Sequence, residues 1–319
     1  MTKKRKIMLI KNNQLLSKKK YFLNFFFPFF PIKVFKSLQL IFLIIFLICL
    51  RIIFGLICIP IAPFRISLSF AWVPLMVLGW YFGPLMGILL GGLTDTINFL
   101  INGGIWYWMY AIQEPVVGMI SGLIGSIARL RKNKSVNNHI HIVYDLIVNQ
   151  IISLAFIAIS FLFLIKWLNP YLETRNKTYT SFYMIYQSIA LGFLICFYIT
   201  YELFIFLYLT KRKKKNNQLM VSFLYSSINV IIIIAIFSFI LGPITAISYL
   251  KFIGKQLPEA YLKIGSIFYL LPRIAIESIK TPIEIWLLFS IVNIFDIKIN
   301  ILVNKINHTW QKKYIVARD

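Results

Sequence analysis

Charged residues are scarce in this sequence, and acidic residues are the scarcest of them. Only 14% of the 319 residues are charged, and ten Asp and Glu stand against 34 Lys and Arg, which gives a net charge of +24. Apolar residues make up 59% of the chain, well above the share in soluble domains. A basic nucleic-acid-binding protein needs a folded polar surface, which this composition cannot build. The composition therefore excludes a soluble enzyme and a nucleic-acid-binding protein, and it predicts a polytopic membrane protein.

Cysteine and histidine are too few and too isolated to predict a disulfide or a metal site. Cys49, Cys58 and Cys196 lie in apolar runs, and His139 and His141 lie in a basic segment without supporting carboxylates or thiols. The phosphate-binding motif G-x-x-x-x-G-K-[ST] is missing from the sequence. We therefore expect no metal, no cofactor and no enzymatic activity of its own, and ATP hydrolysis that drives any transport must come from partner chains.

Eight apolar runs are long enough, or nearly long enough, to cross a membrane as helices. About 20 apolar residues span the hydrocarbon core, and runs such as LQLIFLIIFLICL lack the alternation typical of a β-barrel strand. The runs lie at 38–59, 67–83, 84–101, 111–130, 142–168, 181–210, 219–248 and 264–297. The sequence thus predicts an all-α integral membrane protein of about eight helices in the cell membrane.

The distribution of cations predicts the orientation of these helices. Twenty-four of the 34 Lys and Arg lie in 1–37, 129–141, 211–215 and 298–319, and eight crossings would place all four segments on one side. Cationic loops stay on the cytoplasmic side, so both termini are predicted to be cytoplasmic. The basic and aromatic arm 1–37 is expected to lie on anionic lipid.

Glycine is concentrated in one part of the chain. Ten of the fifteen glycines fall within 79–125. Small residues every four positions let membrane helices approach closely. Two such faces are predicted, one with Gly83, Gly87 and Gly91 and the other with Gly118, Gly122 and Ser126.

Polar and aromatic residues beside this glycine-rich part are the first candidates for a substrate site. Asp95 and Asn98 lie in an apolar helix, where a carboxylate costs about 2.5–3.5 kcal/mol, so they face either a ligand or an interhelical hydrogen-bond network. The segment that follows predicts a stacking surface for a flat aromatic ligand, with polar residues for its edge, although an interfacial aromatic belt is the alternative. Its candidate residues are Trp106, Tyr107, Trp108, Tyr110, Gln113 and Glu114.

Arginines near the outer face are candidates for binding an anionic group, because the planar guanidinium fits a carboxylate. Arg273 in the last helix and Arg65 before the second are the two candidates, whereas Arg51 inside the first helix is assigned a structural role. The alternative for Arg273 is an i,i+4 pair with Glu277, matched by a second i,i+4 pair of Lys280 with Glu284.

Two parts of the sequence resemble the substrate-binding (S) components of energy-coupling-factor (ECF) vitamin transporters, and most closely the folate family. AWVPLMVLGWYFGPLMGILLGGLTDTINFLI and GMISGLIGSI resemble its second to fourth helices. FILGPITAISYLKFIG and YLLPRIAIESIKTPIEI resemble its fifth and sixth. The resemblance covers about 48–131 and 219–290, and by position Asp95 matches the family's aspartate and Arg273 the arginine of its last helix.

The resemblance implies a six-helix S-component core with cytoplasmic termini, into which an additional helix pair, 142–210, is inserted. Helices 1–4 occupy 38–131 and the last two core helices 219–297, flanked by the arm 1–37 and the basic tail 298–319. It implies a vitamin-binding subunit of an ABC-type importer, with folate as the expected vitamin. The implied partners are a transmembrane coupling subunit, two ATPase subunits, the vitamin and the lipid bilayer.

Two other functions stay open at this point. An S component for riboflavin, thiamine or pantothenate fits the same core, because the loop GIWYWMYAIQE departs from the folate family's usual G-x-Y-F-P-G-F-T. An integral-membrane lipid-modifying enzyme fits less well, since it requires clustered carboxylates for a metal or a His/Ser/Asp set, and no D-x-x-D pair occurs.

Overall fold

In the part of the chain that the computed structural model describes, the regular elements are helices and one short β-hairpin. The described residues are 25–26, 28, 38–57, 59–61, 66–103, 105–135, 139–173, 180–210, 214–256 and 267–316. The elements in chain order are α1 (Leu38–Leu56), β1 (Ile59–Ile61), β2 (Ile66–Leu68), α2 (Trp72–Phe82), α3 (Pro84–Asn102), α4 (Trp108–Ala111), α5 (Gln113–Ser135), α6 (His139–Glu173), α7 (Thr180–Thr210), α8 (Lys214–Ile233), a π-helix (Ile234–Leu241), α9 (Gly242–Phe252) and α10 (Ile267–Val316).

Seven helices in the described part of the chain are long and apolar enough to cross a membrane, so the chain is a multi-pass integral membrane protein. A helix forms within each of the eight predicted runs, but the prediction of eight full-length spans is wrong for the second. Its helix, α2, has 11 residues, about 16 Å of rise, which is half the hydrocarbon thickness. α10 runs 50 residues to Val316, so a helix continues into the predicted tail.

α2 is short because Gly83 and Pro84 end it, and it is tolerated because the protein surrounds it. Gly83 has φ 85°, a left-handed conformation that favours glycine, and Pro84 begins α3 at a position where its missing N–H costs nothing. Every residue from Val73 to Phe82 is buried. Such a helix has its backbone groups satisfied internally and needs no lipid-facing length of its own.

The glycine faces predicted from the sequence pack directly against each other, which confirms that prediction. α3 and α5 lie so close that a Cβ on Gly91 would be 2.5 Å from the carbonyl oxygen of Glu114, and Gly87 meets the Gly118 backbone in the same way. α2 packs against α5 in the same way, since a Cβ on Gly125 of α5 would be 2.6 Å from the carbonyl oxygen of Trp80 in α2. These contacts leave no room for a larger side chain, so α2, α3 and α5 form the closely packed centre of the fold.

Buried polar contacts join α6 and α7 to each other and to α8. Asn149 of α6 donates a hydrogen bond to the hydroxyl of Tyr201 on α7 and accepts one of 3.0 Å from Ser227 on α8. All three side chains are buried. Interhelical hydrogen bonds of this kind hold membrane helices together where the hydrophobic effect does not.

Candidate functional site

A cavity of about 160 Å³ lies at the C-terminal end of α3, beneath the aromatic segment that follows it, and is called the Asp95 cavity here. It is lined both by polar residues of α3 and by aromatic residues of the following loop, two groups that the sequence predicts separately as candidates for a substrate site. Its lining residues are Asp95, Asn98, Phe99, Asn102, Gly103, Ile105, Trp106, Tyr107, Tyr110 and Ala111.

Helical spacing places the polar lining residues on one face of α3. Asp95, Asn98 and Asn102 are separated by three and four positions, so they follow one another along the same side of the helix. Asn102 donates hydrogen bonds to the side-chain oxygen of Asn98 at 2.8 Å and to its backbone oxygen at 3.0 Å. Gly103, with φ 65°, ends the helix directly after this face, so the chain can turn back over the cavity.

A buried ion pair lies behind the cavity and holds its floor in place. Arg51 of α1 donates from Nε to Glu114 at 3.1 Å and pairs a second time through Nη2, while its Nη1 donates to Asn98 at 3.3 Å. Both charged side chains are about 6% exposed. Arg51 thereby connects α1, α3 and the start of α5, which confirms the structural role assigned to it.

Asp95 differs from Glu114 in having no hydrogen-bonded partner within the described part of the chain. Its side chain is half-buried on the cavity wall, and the charge of Arg51 is near enough to attract it. Arg51 is already bonded to the carboxylate of Glu114, so this group of three charges carries one more negative charge than positive. The cavity therefore presents a hydrogen-bond acceptor that a ligand with N–H donors can use.

The outer wall of the cavity is a cluster of aromatic rings. Tyr107 is buried, and its ring lies 6.0 Å from that of Tyr110, 5.6 Å from Tyr249 and 5.2 Å from Phe252. Tyr249 and Phe252 belong to α9, so the aromatic loop is packed on the end of that helix. Trp106 and Trp108, by contrast, are more than half exposed. The inner tyrosines form a fixed wall, while the tryptophans lie at the rim.

Of the ten predicted site residues, five line this cavity and four others, within the described part of the chain, do not. Asp95, Asn98, Trp106, Tyr107 and Tyr110 line it. The side chain of Trp108 is exposed, and Gln113 is the first residue of α5. Glu114 forms an ion pair with Arg51. The prediction that Glu114 hydrogen-bonds a ligand edge is therefore not supported by its contacts. Arg65 lies outside the described residues.

Arg273 lines a different cavity, of about 230 Å³, between α2, the π-helix and α10, which we call the Arg273 cavity. The guanidinium of Arg273 is close enough to Tyr110, a lining residue of the Asp95 cavity, to interact with it electrostatically. The alternative pair of Arg273 with Glu277 is not among the ion pairs of the described residues, because Glu277 bonds Lys280 at 3.4 Å. The pair of Lys280 with Glu284, at 3.3 Å, is confirmed.

Sequence reasoning missed Asn102, Tyr249 and Phe252. Asn102 could have been found, because it continues the helical face that contains Asp95 and Asn98. The two α9 residues gave no signal, since their contact with Tyr107 joins parts of the chain that are more than 140 positions apart. No group of three or more His, Cys, Asp or Glu side chains that could hold a metal occurs among the described residues.

The chain is similar over most of its length to two mycoplasma proteins. One is the uncharacterized protein MG313 of Mycoplasma genitalium, which is 29% identical over 279 residues that cover 85% of this chain and 94% of the relative. The other is the MG313 homolog of Mycoplasma pneumoniae, which is 27% identical over 292 residues, 90% of this chain and 100% of the relative. No protein-family model and no solved structure matches the chain.

Proposed function

We propose that this chain is the membrane-embedded S component of an ECF-type importer and binds its vitamin at the Asp95 cavity, with folate as the first candidate. The observation that carries the proposal is the half-buried carboxylate of Asp95, unbonded among the described residues and placed beside a wall of tyrosines. An ionisable group inside a membrane helix points to function when it faces a cavity.

The chemistry of the cavity suits a flat heteroaromatic ring that carries adjacent N–H donors. Such a ring can lie along Tyr107 and Tyr110 and donate to the carboxylate of Asp95, in a charge-assisted hydrogen bond. Asn98 and Asn102 can add an acceptor and a donor at the ring's edge. The extra negative charge near Arg51 favours a donor-rich or cationic ring over an anionic one.

The size of the cavity limits what it holds. Its volume of about 160 Å³ is below the roughly 300–1,000 Å³ of pockets for complete drug-sized ligands. The cavity therefore takes one ring system, and the rest of the vitamin extends past Tyr110.

Transport on this proposal requires partner chains. The sequence lacks the motif G-x-x-x-x-G-K-[ST]. This agrees with a subunit that binds the substrate, while two ATPase subunits hydrolyse ATP and a coupling subunit transmits the resulting movement. The glycine-packed α2, α3 and α5 supply a rigid scaffold for the cavity, as binding sites require.

Calorimetry on the purified full-length chain in detergent tests the proposal. Folic acid, riboflavin, thiamine and pantothenate are titrated separately, and we expect saturable binding of folic acid at one site per chain. Saturable binding of another of these vitamins would change the vitamin but keep the S-component assignment. No binding of any of them, together with turnover of a lipid phosphate, would favour a lipid-modifying enzyme and overturn the proposal.

A further inference from the structure

The Arg273 cavity lies inside the bundle and is unusually polar for that position. Its walls come from the segment before α2, from the π-helix and from α10, and its volume is about 230 Å³. It shares no lining residue with the Asp95 cavity. The lining residues are Ser69, Ala71, Trp72, Ser238, Arg273, Ile276, Glu277 and Lys280.

Two charged side chains on its wall have polar atoms that no group of the described chain satisfies. Oε2 of Glu277 and Nε of Arg273 are both buried without a hydrogen-bond partner. Glu277 is only 7% exposed. A buried donor or acceptor that stays unbonded costs about 1–3 kcal/mol, and more when it is charged. An occupant of the cavity that accepts from Arg273 and donates to Glu277 would remove both costs.

The charges around the cavity balance one another. Lys280 lies between Glu277 at 3.4 Å and Glu284 at 3.3 Å, and its ammonium group is 5.2 Å from the centre of the Trp72 ring. With Arg273 the group contains two cations and two carboxylates. An occupant with a net charge would leave that charge uncompensated inside the membrane, which is costly.

The backbone around the cavity is shaped for this arrangement. Ser238 belongs to a π-helix of eight residues, a rare conformation that is frequent at functional sites. Gly242 follows it, and a Cβ there would be 2.8 Å from Cζ of Arg273. Glycine at this position therefore lets the guanidinium lie directly against the start of α9.

We propose that the Arg273 cavity is a second ligand site, for a small zwitterion of the amino-acid type. The carboxylate of the ligand accepts a hydrogen bond from Nε of Arg273, and its ammonium group donates to Oε2 of Glu277. The ligand carries no net charge, so the balance of the four charged side chains is kept. The site does not depend on vitamin binding at the Asp95 cavity, from which it is separate.

Equilibrium dialysis of the full-length chain in lipid nanodiscs tests the site. The probes are radiolabelled glycine, L-serine and L-glutamine, with acetate and methylammonium as single-charge fragments. We expect one amino acid to bind saturably at one site per chain, and acetate and methylammonium to bind at least about tenfold more weakly, as expected for the loss of a charged hydrogen bond. If none of the three amino acids binds saturably, the cavity holds only water and the proposal is overturned.

Two variants assign the binding to this cavity. Glu277→Gln removes the acceptor charge and is expected to weaken binding about tenfold or more. Glu202→Gln is the matched control, because Glu202 lies in α7 and bonds Gln150 at 2.6 Å, and it is expected to leave binding unchanged. Equal binding by both variants would place the ligand elsewhere. Should Glu277→Gln fail to fold, Ser238→Leu fills the cavity without altering a charge and must also abolish binding.

Discussion

Arg51 of α1 and Glu114 at the start of α5 form a buried, doubly hydrogen-bonded ion pair across 63 positions of the sequence. The pair lies directly behind Asp95 and also positions Asn98. The Asp95 cavity thus depends on a buried ion pair that contacts one of its lining residues, Asn98. The stability of the bundle and the shape of the Asp95 cavity are therefore connected through one arginine.

Breaking this ion pair should destabilise the protein strongly. Glu114→Gln removes the carboxylate that bonds the buried guanidinium of Arg51 and leaves Asp95, which is not hydrogen-bonded to Arg51, to attract that charge. Removing one partner of a buried pair costs about 3–5 kcal/mol. We expect a large fall in the thermal unfolding midpoint in detergent. The double variant Arg51→Met/Glu114→Leu removes both charges and should recover most of the loss. A double variant as unstable as the single one would show that packing, and not charge, is at issue.

Adjacent glycines on α3 should respond differently to the same substitution. Gly91→Ala places a Cβ 2.5 Å from the carbonyl oxygen of Glu114, whereas Gly92→Ala meets nothing nearer than 3.9 Å. Overpacking of this kind costs about 1–3 kcal/mol. We expect a lower unfolding midpoint for Gly91→Ala and an unchanged or higher one for Gly92→Ala. Similar midpoints for the two variants would contradict the close approach of α3 and α5.

Asp95→Asn should weaken vitamin binding without unfolding the chain. The side chain is half-buried and makes no hydrogen bond among the described residues, so its loss removes a ligand contact and little else. A charge-assisted hydrogen bond is worth about 1.5–3 kcal/mol, so calorimetry should show at least a tenfold loss of affinity. Thr96→Ala is the control, since the Thr96 hydroxyl is exposed and donates to the backbone oxygen of Gly92. Unchanged affinity in Asp95→Asn would remove Asp95 from the site.

Lys280 should matter far more for stability than Lys132, although both are paired. Lys280→Met leaves Glu277 and Glu284 close together and buried, whereas Lys132→Met leaves Asp296 30% exposed and still hydrogen-bonded to Tyr81. Removing one partner of a buried pair costs about 3–5 kcal/mol, and a fully exposed pair is worth about 0–1 kcal/mol, so the half-buried pair of Lys132 should cost less than the buried one of Lys280. The two unfolding midpoints provide the comparison, and equal losses would mean that the carboxylates of α10 are not held by Lys280.

The predicted orientation can be tested by labelling single cysteines from outside the cell. In a background with Cys49, Cys58 and Cys196 replaced by alanine, Lys255→Cys should react with a membrane-impermeant maleimide in intact cells. Lys213→Cys lies in the cationic segment 211–215, which the positive-inside rule places in the cytoplasm, and it should react only after lysis. The opposite pattern would invert the topology.

The short helix α2 is held at both ends by hydrogen bonds to long neighbouring helices. The sequence run 67–83 is apolar enough to be read as a span, yet α2 has only 11 residues. Ser69, just before it, bonds the carbonyl oxygen of Phe54 near the end of α1, and Tyr81 at its other end bonds Asp296 at 2.9 Å. These two hydrogen bonds fix both ends of the short helix to long neighbouring helices.

Local patterns in the sequence determined the elements of this protein. Long apolar runs must become helices in a membrane, because their backbone groups have no other partners there. Glycines every fourth residue must make a close-packing face, because nothing larger fits between touching backbones. The face of α3 with Asp95 and Asn98 follows from helical spacing alone.

Only the tertiary structure decided which charges meet. The sequence offers Glu114 to a ligand as readily as Asp95, but in the structure Glu114 bonds Arg51, while Asp95 lies on the cavity wall. Arg273 was a candidate for the same site and instead lines a second cavity with Glu277 and Lys280. Electrostatic partners are chosen by proximity in three dimensions and by the cost of leaving a charge unpaired in an apolar interior. Neither quantity can be read from positions along the chain.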